Sequence, residues 1–215
     1  LAVVKSATFN KDFNFISVVV STALQDWGYK LPNNPCSFFK REQEAKPRDR
    51  ILEDWEERKL LHGCSLIPNT YLTKCVEFSL ETAIRQGEML NIHYDDIDFE
   101  NSLLHIPISK NGYPRKIPLS PKAVRILREL PRRLDRKVFP ITRDALKNLF
   151  QRALKKSNIQ EFRYHDLRHT AITSMLQDRG LTIPEVQLMS GIRNPKILLN
   201  VYNKTDPRKV VARLS

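Results

Sequence analysis

The sequence predicts a mainly helical protein interrupted once by a small three-stranded antiparallel sheet. Three observations carry that expectation. Apolar residues recur at helical spacing along most of the 215 residues. Two short extended runs, "IDFENSLLHIPI" and "PRKIPLS", lie together in the middle of the chain beside turn signals. Capping residues stand where the periodic stretches begin and stop. With 41% hydrophobic and 28% charged residues, the composition is that of a soluble globular protein able to bury one substantial core and a small second unit.

The elements follow in order. Residues 8 to 28 read as a helix ending near Gly28, after which "LPNNP" punctuates the chain and "KREQEAKPRDR" reads as a linker. A boundary near residue 45 follows, dividing the chain into 1–45 and 46–215. Helices resume with "RILEDWEERKLLHG" and with "NTYLTKCVEFSLETAIRQGEMLNI", read as one stretch. The sheet comes next, with turns at Glu100-Asn101 and Asn111-Gly112. "SPKAVRILREL" and "TRDALKNLFQRALKKSN" return to helix, followed by "EFRYHDLRHTAITSML". "LTIPEVQLMSG" has a Thr182 cap and a Gly191 stop, and "NPKILLNVYNK" opens with Asn194 as cap and Pro195 in the first turn.

Several classes are excluded early. Cys36, Cys64 and Cys75 are an odd number without metal-ligand spacing, which argues against a disulfide framework or a zinc site and suits a reducing, cytoplasmic setting. "FISVVVSTAL" is too short to span a bilayer and has no signal-peptide cleavage pattern behind it. Leu1 in place of Met suggests a piece of a longer protein.

The net charge of +12 is localised. Between Lys110 and Lys156 stand 15 Lys/Arg against 3 Asp/Glu, so this segment holds the whole excess. Within it the helical stretch has apolar residues at 145, 146, 149, 150, 153 and 154, which turns Lys147, Gln151, Arg152, Lys155 and Lys156 toward solvent. A basic face on an otherwise neutral protein suits a polyanion, most simply nucleic acid. A merely solvated helix surface is the alternative. A membrane surface fits less well, because no aromatic-rich insertion face accompanies the charge.

His165 and Arg168 lie on one face of a helix start, where free backbone N–H groups and the helix dipole also favour an anion. Alone, the pair reads more readily as a cap or a surface salt bridge than as a site. It has company: Arg85 with Glu88 one turn later, Lys110 at a hairpin, and Tyr202 further on.

In these blocks the sequence resembles the tyrosine recombinase family, the integrases of phages and mobile elements. "ETAIRQGEMLNIHYDDID" resembles the family's first-arginine block, with Arg85 and Glu88. "SKNGYPRKIPLS" is similar to its lysine hairpin, "YHDLRHT" to its His-x-x-Arg block, and "LMSGIRNPKILLNVY" to the segment ending in the nucleophilic tyrosine. The resemblance runs from about residue 48 to 205 in the family's order. It implies the DNA breaking-rejoining catalytic fold over 46–215, and for 1–45 the closing helices and linker of a core-binding domain.

The resemblance further implies a metal-free and cofactor-free reaction. Tyr202 would attack a DNA phosphorus and form a 3′-phosphotyrosyl bond, Arg85 and Arg168 would clamp the phosphate, and Lys110 would protonate the leaving 5′ oxygen. His165 would donate a hydrogen bond or move a proton nearby. Lys147, Arg152, Lys155 and Lys156 are the expected DNA-binding face. The expected partners are double-stranded attachment sites, three further copies in a homotetramer and accessory DNA-bending proteins, in a bacterial or phage nucleoid setting.

Alternatives stay open for single residues. Tyr202 could be a core ring with its hydroxyl at the edge, Arg115 or Lys116 could take the role of Lys110, Glu88 could pair with a neighbouring base, and His169 could be a packed histidine. Tyr164 and His93 read as core or surface residues. For the chain as a whole, the alternatives are a DNA-binding relative without catalysis and a type IB topoisomerase. Two positions depart from the family pattern: Ala83 stands where glycine is usual, expected only to tighten backbone packing, and Arg193 stands where His or Trp is usual, a catalytic candidate whose donors could replace theirs at the phosphate.

Overall fold

The computed structural model describes residues 4–43, 45, 50–107 and 114–202, with residues 201 and 202 described by their backbone alone. The chain forms two compact units, Leu1–Arg48 and Asp49–Ser215. Among the described residues no helix is long and apolar enough to cross a membrane.

The first unit is built on α1 (Ser6–Gln25), which stops three residues short of Gly28. A 3₁₀ turn at Pro35–Phe38 folds back onto it through Asn34. The Asn34 amide donates to Ser17 O at 2.9 Å and to Ser21 Oγ at 2.9 Å, while its oxygen accepts from Cys36 N at 2.9 Å. Asn10 and Glu42 exchange two side-chain to backbone bonds of 2.8 and 2.9 Å.

The second unit is helical around a small sheet. Its elements are α2 (Asp54–Ser65), α3 (Leu72–Thr82), α4 (Gln86–Met89), β1 (Ile97–Asp98), β2 (Leu103–Ile106), β3 (Arg115–Pro118), α5 (Pro121–Glu129), α6 (Arg143–Ser157), α7 (Asp166–Gln177), α8 (Ile183–Ser190) and α9 (Pro195–Tyr202). The three strands lie in the order β1-β2-β3, both pairs antiparallel, as the extended runs predicted. Leu104 faces Ile97 on one side and Ile117 on the other, so one sheet face joins the core. The Asn111-Gly112 turn lies outside the described residues.

The stretch from residue 69 to 92 is not one helix. It breaks after Thr82 because Ala83 adopts φ 51°, ψ 23°, the left-handed conformation that ends a helix. Glycine is favoured there for its backbone, not for its packing. An alanine in this conformation is strained by about 1 to 2 kcal/mol, and its methyl is fully buried.

Helix α3 is the central helix, packed against α2, α5 and α7. Phe78 on it meets Phe139 with ring centroids 5.4 Å apart. Its buried carboxylate Glu81 accepts from Ser120 Oγ and Arg179 Nη1, both at 2.9 Å, and pairs with Lys122 Nζ at 3.1 Å. Burial pushes the Glu81 carboxyl up, but these partners outweigh it and hold it below the usual range. One ion cluster therefore ties α3 to the start of α5 and the end of α7. Helix α6 buries Leu146, Phe150, Ala153 and Leu154, the stripe its spacing predicts. It crosses α2 at Gly63, where any side chain would collide with Ser157.

Candidate active site

The break at Ala83 determines where the first arginine points. Two residues after it, Arg85 caps the short helix α4 and turns back toward the ends of α7 and α8. Its Nη1 donates to Glu88 Oε1 at 3.0 Å and its Nη2 to Gly191 O at 3.0 Å, with 40% of the side chain still exposed.

Arg168 comes from the first turn of α7 and is buried, with 7% exposure. Its Nη1 donates to Ala83 O at 2.5 Å and its Nη2 to Ser190 O at 2.8 Å. The left-handed residue thus supplies an acceptor as well as a turn. Burial, then repulsion from Arg85, lowers the Arg168 pKa to about 10, which leaves it cationic at neutral pH. The two arginines hold neighbouring carbonyls, Ser190 and Gly191, at the turn that leads into α9.

Glu88 sits between two bases and pairs with both. Arg115, from β3, donates Nη1 to Glu88 Oε1 at 3.1 Å and Nη2 to Oε2 at 2.7 Å, a bidentate fork. Burial raises the Glu88 carboxyl, but the Arg115 fork and Arg85 prevail and hold it below the usual range. Arg115 is thus paired with Glu88, whereas Lys116 is exposed on the strand. The signal for Arg115 was present in the strand: residues 115 and 117 share one face, so a charged residue alternates with buried Ile117.

His165 occupies the position before α7 and stays open to solvent, its ring edge-on to His169 at 5.6 Å. Partial burial first, then His169 and Arg168, lowers its pKa. His169 is half-buried, its ring packed edge-on against His165. Tyr164 lies in the core, with its hydroxyl donating to Cys75 O at 3.1 Å and 2.9 Å from Ser79 Oγ. Burial pushes that phenol well above its usual range.

The remaining candidates are placed only in part. Arg193 is an exposed residue in the turn between α8 and α9, and its carbonyl accepts from Gln187 Nε2 at 2.7 Å. Tyr202 is the last residue of α9, described by its backbone, and Lys110 lies outside the described residues. Lys147, Arg152, Lys155 and Lys156 are all exposed on α6. Among the described residues no cluster of His, Cys, Asp and Glu could hold a metal ion.

Comparison with known proteins identifies the group to which this arrangement belongs. The sequence profile of the phage integrase family matches residues 50–209. A shufflon-specific DNA recombinase of Escherichia coli is 32% identical over 191 residues, covering 89% of this chain and 49% of its own length. The integrase of Salmonella phage P22 is 27% identical over 204 residues, covering 86% of this chain and 51% of its own. The chain thus spans about half the length of these two relatives. Among solved structures, the Tn1549 transposon integrase in complex with a circular intermediate DNA superposes with a TM-score of 0.77 at 20% identity, over 99% of this chain and 80% of that one. A lambda integrase dimer bound to a core site gives 0.75 at 18% identity, over 91% and 73%. The chain belongs to the phage integrase family, the tyrosine recombinases.

Proposed function

We propose that this chain is the catalytic part of a site-specific DNA recombinase that cuts and rejoins strands through Tyr202. The observation that carries this reading is the convergence of Arg85 and Arg168 on the Ser190–Gly191 turn from which α9 runs to Tyr202. Planar guanidinium forks suit the non-bridging oxygens of a phosphodiester. In the proposed reaction the phenolic oxygen of Tyr202 bonds to phosphorus and loses its proton. The bond to the 5′ oxygen breaks, and that oxygen takes a proton from Lys110. His165, open to solvent, donates to the phosphate or accepts the phenolic proton. Arg193 supplies a further donor to a non-bridging oxygen. The phosphotyrosyl bond conserves the energy of the phosphodiester, so rejoining is the reverse step and needs no nucleotide.

DNA is the natural partner. The exposed bases Lys147, Arg152, Lys155 and Lys156 present one charged helix face. The E. coli relative is named a DNA recombinase, and the transposon and lambda integrases were solved on DNA. Residues 1–45 act as the end of a core-binding domain and its linker. The full reaction takes place on attachment sites of a phage or mobile element, in a tetramer with bending proteins, in a bacterial cytoplasm.

A nicked DNA substrate that loses a short fragment on cleavage, and so cannot be resealed, tests the central step. The parent chain should become covalently joined to DNA, and Tyr202→Phe should not, while binding DNA equally well. Undiminished capture by Tyr202→Phe would assign the nucleophile elsewhere. Binding without capture by the parent would make the chain a DNA-binding relative without catalysis.

A further inference from the structure

We infer that Arg115 is a positioning residue for Arg85, acting through Glu88, and that this relay orients the first arginine before DNA arrives. The inference rests on the reading of Arg85 as a phosphate ligand.

The geometry is a shared carboxylate. Glu88, with only 5% of its side chain exposed, accepts both forks of Arg115 and one N–H of Arg85 on the oxygen Oε1. A carboxylate freed from Arg115 would be left buried with Arg85 as its remaining cation. It would then take a second bond from that guanidinium and draw it inward. Arg115 removes this option. The Arg85 guanidinium keeps one bond to Glu88 and one to Gly191, two of its five possible donors, and the side chain stays 40% exposed.

Arg115 itself is held at the expense of stability. Its side chain is 10% exposed, and its Nε–H is buried without a hydrogen-bond partner among the described residues. An unsatisfied buried donor is destabilising, and a buried ion pair alone is a poor source of stability. An apolar residue at an inward position of β3 would avoid both terms. The guanidinium is also fixed in place: a Cβ built on Gly191 would lie 2.9 Å from its Cζ. Arg115 thereby touches the residue whose carbonyl Arg85 holds, so the relay closes on the turn leading to α9.

The test is single-turnover covalent capture on the nicked attachment-site DNA, with DNA affinity and urea unfolding measured on each variant. Arg115→Leu should slow capture by about a hundredfold, the scale of a misplacement of about 1 Å, with affinity little changed. Adding Glu88→Gln removes the carboxylate that would capture Arg85, and the double variant should recover about tenfold of the loss. A purely structural role would leave the double variant no faster than the single one. Arg115→Lys keeps the charge but loses the fork, and it should fold like the parent while capturing DNA about tenfold more slowly. Capture by Arg115→Lys at the parent rate, or a double variant no faster than Arg115→Leu, would overturn the relay while leaving the proposed function intact. A parent chain that never captures DNA would overturn the proposed function and the relay with it.

Discussion

Gly191 and Gly180 have the same backbone angle, φ +68°, and opposite surroundings. A Cβ on Gly180 would meet nothing within 4 Å, whereas one on Gly191 would lie 2.9, 3.0 and 3.1 Å from three atoms of the Arg115 guanidinium. Alanine at either site therefore incurs the same left-handed backbone penalty, about 1 to 2 kcal/mol, reduced by some tenths because alanine restricts the unfolded chain. Only at Gly191 must something also move. Arg115 is locked to Glu88 at 2.7 and 3.1 Å, so it yields only by weakening a charge-assisted pair. Overpacking of this kind adds about 2 kcal/mol. Gly191→Ala should thus lose about 3 kcal/mol in urea unfolding and Gly180→Ala about 1 kcal/mol, a gap of roughly 5 °C in melting temperature for a unit of this size. Equal losses, within about 0.5 kcal/mol, would refute the close approach of Gly191 to Arg115.

Other expectations follow from the same packing and charge. Gly63→Ala would drive a Cβ into Ser157 Oγ and to 2.9 Å from Ala153 O, so it should destabilise by about 2 to 3 kcal/mol. Ser157→Ala in the same chain should recover part of that loss in urea titration. The His165 pKa is depressed by burial, His169 and Arg168, so folding favours its neutral form. Its contribution to stability is present above the unfolded value near 6.5 and is lost as pH falls through the lower folded value. NMR titration should therefore place the His165 midpoint below 6.5, and His169→Gln should raise it. Neutralising Lys147, Arg152, Lys155 and Lys156 should weaken binding to unrelated DNA sequences and flatten the salt dependence by about one unit for each phosphate that is no longer neutralised. An unchanged slope would return α6 to a solvated surface. Arg193→Ala should slow cleavage by about a hundredfold, the effect of removing one donor, and Arg193→His should retain much of the rate in the same assay.

Local signals were legible in the sequence and tertiary ones were not. Thr182 marked the start of α8, where the structure adds the Glu185 carboxylate accepting from Thr182 N and Oγ, both at 2.7 Å. Asn194 and Pro195 marked α9, with Asn194 Oδ1 accepting from Lys196 N at 3.0 Å. The α6 stripe followed from spacing alone. The break at Ala83 did not, because alanine is a strong helix former and only the surrounding packing holds it at positive φ. In the site, the side chains of Arg85, Glu88 and Arg168 were identifiable by type and order. Their protein partners were not, since Ala83 O, Ser190 O and Gly191 O are backbone atoms with no residue signature, brought in from distant points of the chain.

The turn between α3 and α4 also limits how this chain can change in length. Only Ala83, Ile84 and Arg85 connect the two helices, and the first and last of them must meet fixed partners. One added residue before Arg85 would carry Arg85 past Gly191 and Glu88 away from Arg115, and one deletion would take Ala83 O away from Arg168. The segment after α5 is held at its ends, with Arg132 over the Tyr94 ring, Tyr94 N donating to Arg136 O at 2.9 Å and Arg136 Nη2 paired with Asp95 Oδ1 at 2.6 Å, but Leu134 at its tip is fully exposed. A one-residue insertion between 83 and 85 should therefore lower stability in urea unfolding more than one beside Leu134. The gap between two helices works here as a ruler that sets Arg85 against Gly191 O and Ala83 O against Arg168.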